Sequence, residues 1–166
     1  MSHDSPAKDR PLAIEDRTLH PGWELIEFLA SIGADEFTMD FLYVGDDGKA
    51  ACDRLVQKLA FASLGQLTRE CTVTYANESN PRPIEVYRLN AQAREVLRAI
   101  MPEGIFDSGT SSNAWVEDVC VYRRGELLFG TVLHEKYAFV RLTEFEWQQW
   151  EARSTLARTK PKFPSL

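Results

Sequence analysis

The sequence predicts a single α+β domain: a mainly antiparallel sheet of about six strands, with helices packed on it. Two observations favour this class. Residues 115–142 are dense in Val, Tyr, Phe, Leu and Trp, and polar or glycine turns divide them into three strand-like runs. Upstream, segments with helical spacing alternate with segments of two-residue spacing. Three sequential strands form a C-terminal meander, and other elements must cover its apolar face.

The first part of the chain alternates helical and extended segments. Apolar residues at helical spacing predict a first helix over 22–32. Alternating apolar positions then predict a half-buried strand over 36–44. Asp46 or Asp47 is expected to cap the next helix, over 48–62, which has an apolar stripe at i, i+3, i+4 and i+7 spacing.

The middle of the chain contains a predicted strand pair followed by a helix. Gly65 is expected to end the preceding helix, and alternation predicts strands over 68–76 and 84–89 around a loop rich in Asn, Ser and Pro. Asn90 is a suitable N-cap for a third helix over 91–101, whose apolar residues share one face.

The last part of the chain contains the meander. A long irregular loop, 102–114, precedes it. Arg124-Gly125 and the polar run 134–136 divide its three strands, and glycine supplies the positive φ of a hairpin turn. Thr143 to Glu146 has the pattern of a capping box and predicts a final helix over 143–153.

Length and composition indicate the domain organisation. The 166 residues, 44% hydrophobic and 27% charged, are typical of one globular domain with a substantial core. We expect a flexible N-terminal arm over 1–20, the domain over 21–152, and a basic, proline-containing tail over 153–166. No run of 18 apolar residues and no apolar N-terminal segment is present, so we expect a cytoplasmic protein without membrane contact.

The sequence contains no recognisable catalytic or cofactor motif. The three histidines have no metal-ligand spacing, and no phosphate-binding loop or nucleophile motif occurs. Cys52, Cys71 and Cys120 are widely spaced and odd in number, and we expect them to be buried, reduced thiols. We therefore expect no metal and no cofactor.

Charge favours a basic protein partner. The chain has a net charge of −6, but the tail 153–166 carries four cations and no acid, so residues 1–152 carry −10. Such a body repels phosphate backbones and attracts cationic proteins. We expect a non-catalytic protein-binding module, analogous to acidic inhibitors or immunity-type proteins that mask a basic toxin or nuclease. The oligomeric state is left open.

The candidate partner-binding residues are carboxylates, a histidine and tryptophans at the edges of predicted elements. Tryptophan is enriched at protein interfaces, and carboxylates suit a basic partner. Solvated acids and a helix packed on the meander through its tryptophans are the alternative interpretations. The candidates are Asp107, Glu117, Asp118, His134, Glu135, Trp147 and Trp150.

Two other functions remain possible. The helix over 48–62, the strand pair and the run Tyr87-Arg88-Leu89-Asn90 resemble a winged-helix DNA-binding domain over residues 48–100. The resemblance implies DNA contacts by Arg54, Lys58, Arg69 and Arg82, whereas the net charge of −9 over 22–152 opposes DNA binding. The second alternative is a small enzyme in which His134 acts as a base beside a carboxylate.

Overall fold

The computed structural model describes residues 12–13, 22–72, 79–105, 109–111 and 113–159. The helices are α1 (Trp23–Ser31), α2 (Gly45–Lys58), α3 (Ala91–Ile100) and α4 (Glu144–Thr159). The strands are β1 (Leu12–Ala13), β2 (Glu36–Tyr43), β3 (Ser63–Arg69), β4 (Arg82–Arg88), β5 (Gly109–Ser111), β6 (Ala114–Arg123), β7 (Glu126–Val132) and β8 (Tyr137–Val140).

The eight strands within the described residues form one antiparallel sheet, in the order β1-β8-β7-β6-β2-β4-β3, with β5 paired beside the start of β6. Six of these strands have four or more residues, and the last three form the meander. The prediction of a single α+β domain built on a mainly antiparallel sheet is therefore confirmed.

The main core lies between the helices and one face of the sheet. Phe37 and Met39 of β2 and Val121 of β6 are buried there, together with apolar residues of α1, α2 and α3. The aromatic rings of Phe37 and Tyr87 stack at 5.2 Å. Burial of this apolar area is the main stabilising contribution to the fold.

A smaller cluster lies on the opposite face of the sheet. It combines Cys71 from the segment after β3 with Ile84, Val86, Cys120, Tyr122 and Leu127. Strand alternation explains the separation, because Cys120 and Tyr122 flank Val121, which points into the main core. Part of the second face of the sheet is thus buried as well.

Hydrogen bonds hold the segment after β3 on this second face. The Tyr122 hydroxyl donates to the Glu70 carbonyl oxygen at 2.9 Å. Because this bond uses the only hydroxyl proton of Tyr122, Thr38, 3.1 Å away, donates to the Tyr122 oxygen. The Thr72 amide donates to the sulfur of Cys120 at 3.4 Å. Burial raises the pKa of Tyr122, so its hydroxyl keeps this proton.

A β-bulge at Asp118 changes which residues of β6 point into the core. Its φ is +44°, and the β2–β6 register shifts at this point. Val116 and Val119 are three positions apart, yet both belong to the main core. The extra residue therefore reverses the two-residue alternation of the strand.

Several predicted local signals are confirmed. Arg124 and Gly125 have φ of +53° and +79°, as a two-residue type I′ hairpin requires. The Asn90 side chain accepts a hydrogen bond from the Ala93 amide at 2.8 Å. The capping box forms in both directions: the Glu146 side chain accepts from the Thr143 amide, and the Thr143 hydroxyl accepts from the Glu146 amide.

Five predicted boundaries are wrong. Gly65 does not end a helix but lies inside β3, with φ +80° at a register irregularity, so the strand predicted over 68–76 begins at Ser63. Strand β3 ends at Arg69, and residues 73–78 of the predicted strand lie outside the described part of the chain. Helix α2 begins at Gly45, and its N-cap, Val44, has no side-chain capping bond.

The other two boundaries concern the loop 102–114 and the last helix. The loop contains β5, and α4 continues to Thr159 instead of ending at 153. In the predicted N-terminal arm, β1 pairs with β8, with Leu12 opposite Val140.

Candidate protein-binding surface

Three consecutive exposed apolar residues lie at the end of β2 and directly after it. The exposed fractions are 46% for Leu42, 49% for Tyr43 and 64% for Val44. The pairing of β2 with β6 ends here, with Leu42 opposite Trp115 and Tyr43 opposite Ala114. Since exposed apolar runs are rare on monomeric domains unless they contact something, this segment is a candidate interface.

Two carboxylates follow this apolar run directly. Asp46 and Asp47 occupy the first turn of α2 and are exposed. At the N-terminus of a helix they complement the helix dipole, which accounts for part of their presence. They also place two negative charges within five residues of Leu42, beside the exposed apolar run.

A close backbone contact positions α2 at this corner. A Cβ atom built on Gly48 would lie only 2.3 Å from the carbonyl oxygen of Asn113. The same oxygen accepts a hydrogen bond from the Val44 amide at 2.8 Å. Because Gly48 has no side chain, the helix approaches the turn before β6 closely enough for this arrangement.

The sheet contributes further residues on its second face. Leu42 lies opposite Trp115 and Asp40 lies opposite Glu117, so all four side chains share that face. Trp115 and Glu117 are half-buried, and Asp40 binds Arg82. Tyr43 alternates with Leu42 and therefore points to the opposite face. We call the following set, which wraps around the end of β2, the corner surface: Leu42, Tyr43, Val44, Asp46, Asp47, Trp115 and Glu117.

The structure brings some of the predicted site residues together. Asp118 is buried, with 7% exposure, and its Oδ1 accepts the Leu133 amide at 3.2 Å. This bond places the carboxylate next to the 3₁₀ turn Leu133–Glu135, in which Glu135 is exposed. The His134 side chain and the whole of Asp107 lie outside the described part of the chain.

The two predicted tryptophans of α4 lie elsewhere. Trp147 and Trp150 are half-buried against the main core, and the Trp150 ring is 5.4 Å from the ring of Phe28. An ion pair between Arg123 and Glu146 fixes the start of α4 at the far end of β6. Arg123 is six residues from Glu117, roughly 20 Å along a strand, so the tryptophans and the acidic end of β6 form separate surfaces.

Many of the arginines are neutralised by carboxylates of the same chain. Arg69 donates two hydrogen bonds to Glu36 Oε2, at 3.0 and 2.7 Å, and Arg82 pairs with Asp40. Two of the four cations that the winged-helix resemblance assigns to DNA are thus bound within the protein, whereas Arg54 and Lys58 are exposed on α2. Each such pair balances one positive against one negative charge, so the net charge of −9 over residues 22–152 is unchanged by it.

Arg141 forms a bidentate ion pair with Glu70, in which Nη1 donates to Oε2 at 3.0 Å and Nη2 donates to Oε1 at 2.7 Å. The Arg141 hydrogen bonds lower the pKa of Glu70, and those to Glu70 raise the pKa of Arg141, so both groups stay charged at neutral pH. The pair borders a surface cavity of about 460 Å³ that also contacts Arg123 and Leu128. A second cavity, of about 510 Å³, lies between Glu36 and Asn90. Neither cavity includes a predicted site residue.

The three thiols are buried, as predicted. Burial raises the pKa of Cys52 and of Cys71, and raises that of Cys120 to about 11. Protonated, inaccessible thiols are poor nucleophiles and poor metal ligands. Within the described ranges no group of three or more histidine, cysteine or acidic side chains is arranged to hold a metal ion.

Comparison with known proteins identifies no relative. No family model, curated protein or solved structure matches this chain. In the described part of the chain, every helix is too short or too polar to span a bilayer.

The sequence prediction missed most of the corner surface. Tyr43 continues the alternation of Phe37, Met39 and Phe41, which favoured burial, and Asp46 and Asp47 were interpreted only as caps. The available signal was the order of residues: three apolar side chains followed at once by Gly-Asp-Asp-Gly. If the strand ends at these three apolar residues, no neighbouring strand can bury their side chains.

Proposed function

We propose that this chain is a non-catalytic protein-binding module that masks a basic protein, such as a cationic toxin or nuclease. The corner surface, which wraps around the end of β2, is the proposed docking site. The observation that carries the proposal is the exposed apolar run 42–44 leading directly into the exposed carboxylates of Asp46 and Asp47. The buried free thiols are compatible with a reducing cytoplasm, where we place this binding activity.

The two kinds of residue in the corner surface have different roles in this proposal. Tyr43 and Trp115 supply large, amphipathic contact area, and such residues often provide most of the binding energy at an interface. Asp46, Asp47 and Glu117 supply charge that steers a cationic partner and orients it. The net charge of −9 over residues 22–152 extends this attraction beyond the contact itself.

The binding test uses two triple variants. The corner variant, Tyr43→Ala with Asp46→Asn and Asp47→Asn, removes an exposed ring and two carboxylates from the corner surface. The control variant, Phe145→Ala with Glu95→Gln and Glu151→Gln, removes an exposed ring and two exposed carboxylates from α3 and α4. Both variants change the net charge equally. A difference in binding between them therefore depends on where the substitutions lie and not on the net charge.

Wild type and both variants are immobilised and exposed to lysate of the source cells, and the retained proteins are quantified by mass spectrometry. We expect a basic protein that wild type and the control variant retain and the corner variant loses. The purified partner then binds wild type in calorimetry, with an affinity that falls as salt is added. Lysozyme serves as the non-specific basic probe. Retention of the same proteins by all three chains, or salt-insensitive binding, contradicts the proposal.

A further inference from the structure

Helix α4 starts beside the first residues of β2 and points away from them. In its first turn Glu146 pairs with Arg123, which also donates a hydrogen bond to the carbonyl oxygen of Ile32, directly after α1. One turn further along α4, the ring of Trp150 contacts the ring of Phe28, one turn earlier in α1. The two helices are therefore antiparallel. Because α1 leads into the start of β2, α4 points toward the end of the sheet where β2 stops.

The chain that follows α4 is long enough to contact the end of β2. From Glu146 to Thr159 the helix rises about 20 Å, and β2 extends over about 23 Å from Glu36 to Tyr43. Residues 160–166, which we call the basic segment, lie outside the described part of the chain. Seven residues reach at most about 23–25 Å, which is comparable with the whole length of β2.

The basic segment is chemically complementary to the corner surface. It contains Lys160, Lys162 and Phe163 and no acidic side chain, whereas residues 1–152 carry a net charge of −10. The corner surface presents two exposed carboxylates directly beside an exposed apolar run. Lysines match the carboxylates and an aromatic ring matches the apolar run, so one short segment can satisfy both features.

We infer that the basic segment binds the corner surface of its own chain. In this arrangement its two lysines face Asp46 and Asp47, and the ring of Phe163 covers part of the apolar run. The segment competes with a basic partner for the same surface, and in this respect the inference rests on the proposed function. Because the segment is tethered, its effective concentration at the surface is on the order of millimolar, so a weak contact is enough to occupy the site.

The experiment uses the full chain with a nitroxide spin label attached through the substitution Ser165→Cys. The three native cysteines are buried, so the reagent reacts with the introduced thiol. In spectra of the isotope-labelled protein, amide signals close to the nitroxide lose intensity, and reduction of the label restores them. We expect the largest losses at residues 42–47 and 115–117. The losses should be unchanged on dilution, because the contact is intramolecular, and should decrease as salt is added.

Two triple variants of the labelled chain test the chemistry of the contact. The segment variant replaces both lysines and the aromatic ring of the basic segment: Lys160→Glu, Lys162→Glu and Phe163→Ser. The helix variant changes the net charge equally and removes one exposed ring from α4: Arg54→Glu, Lys58→Glu and Phe145→Ser. We expect the losses at the corner surface to disappear in the segment variant and to persist in the helix variant.

Several results overturn the inference. They are losses spread evenly over the protein, losses centred on the exposed Glu24 at the start of α1, and losses that vanish on dilution. Losses that persist in the segment variant, or that disappear in both variants, also overturn it. The measurement needs no partner. A basic protein that binds the corner surface of a chain without this contact therefore leaves the proposed function standing, and the contact without any basic partner leaves the inference standing.

Discussion

Gly48→Ala tests the close approach of α2 to the turn before β6. Glycine inside a helix usually costs about 0.5–1 kcal/mol relative to alanine, so helix propensity alone predicts that this substitution stabilises the protein. The structure predicts the opposite sign. The added Cβ would lie 2.3 Å from the Asn113 oxygen, about 1 Å short of ordinary van der Waals contact.

The cost of this overlap follows from what has to move. The atom in the way is a backbone oxygen that also holds the Val44 amide, so a side-chain rotation does not relieve the contact. Overpacking in a well-packed site costs about 1–3 kcal/mol, and the gain in helix propensity offsets at most about 1 kcal/mol of it. We expect a net loss of about 1–2 kcal/mol in the free energy of unfolding.

Urea unfolding followed by circular dichroism measures this loss. Gln57→Ala, at an exposed position of the same helix, is the control and should stay within about 0.5 kcal/mol of wild type. Hydrogen exchange of the Val44 amide should accelerate in Gly48→Ala, because the helix has to move away from Asn113. If Gly48→Ala proves as stable as wild type or more stable, the reasoning from this contact is refuted.

Two further predictions concern residues that anchor α4 and the second face of the sheet. Burial alone would raise the pKa of Glu146, but hydrogen bonds from Arg123 and Thr143 outweigh it and the pKa lies below its ordinary value. Its stabilising contribution is present above the unfolded pKa of about 4.5 and is lost as pH falls through the lower folded value. In acid titrations of unfolding free energy, Glu146→Gln should therefore be less stable at neutral pH and show a shallower loss below pH 4.5. Tyr122→Phe removes the hydroxyl that donates to the Glu70 carbonyl oxygen, and it should lower the free energy of unfolding in urea by about 1–3 kcal/mol. Cys71 should then react faster with a thiol reagent, because the segment after β3 is held less tightly. An unchanged reaction rate would show that the hydroxyl does not hold this segment.

Local sequence signals predicted those parts of the fold that depend on neighbouring residues. The positive φ at Gly125, the cap at Asn90 and the box between Thr143 and Glu146 each involve side chains or backbone within three positions. Such interactions leave a pattern in the sequence because both partners are adjacent.

Features that depend on distant partners were missed or misplaced. A glycine such as Gly65 is typical of a helix end, but the pairing of β3 with β4 places this residue inside a strand. The bulge at Asp118 reverses the faces of β6, and nothing in the local alternation indicates it. The exposure of Tyr43 follows from the point at which β6 stops pairing with β2, which only the tertiary structure determines.

The position of β2 between β4 and β6 has a consequence for synthesis on the ribosome. Seventy residues separate Tyr43 at the end of β2 from Ala114 at the start of β6. At usual translation rates that interval lasts about 4–14 seconds. During this interval the side of the nascent β2 strand that will pair with β6 has no partner. The phenylalanines of β2 are then accessible to chaperones and to neighbouring chains. The yield of folded protein in cells should accordingly depend on chaperone supply during translation.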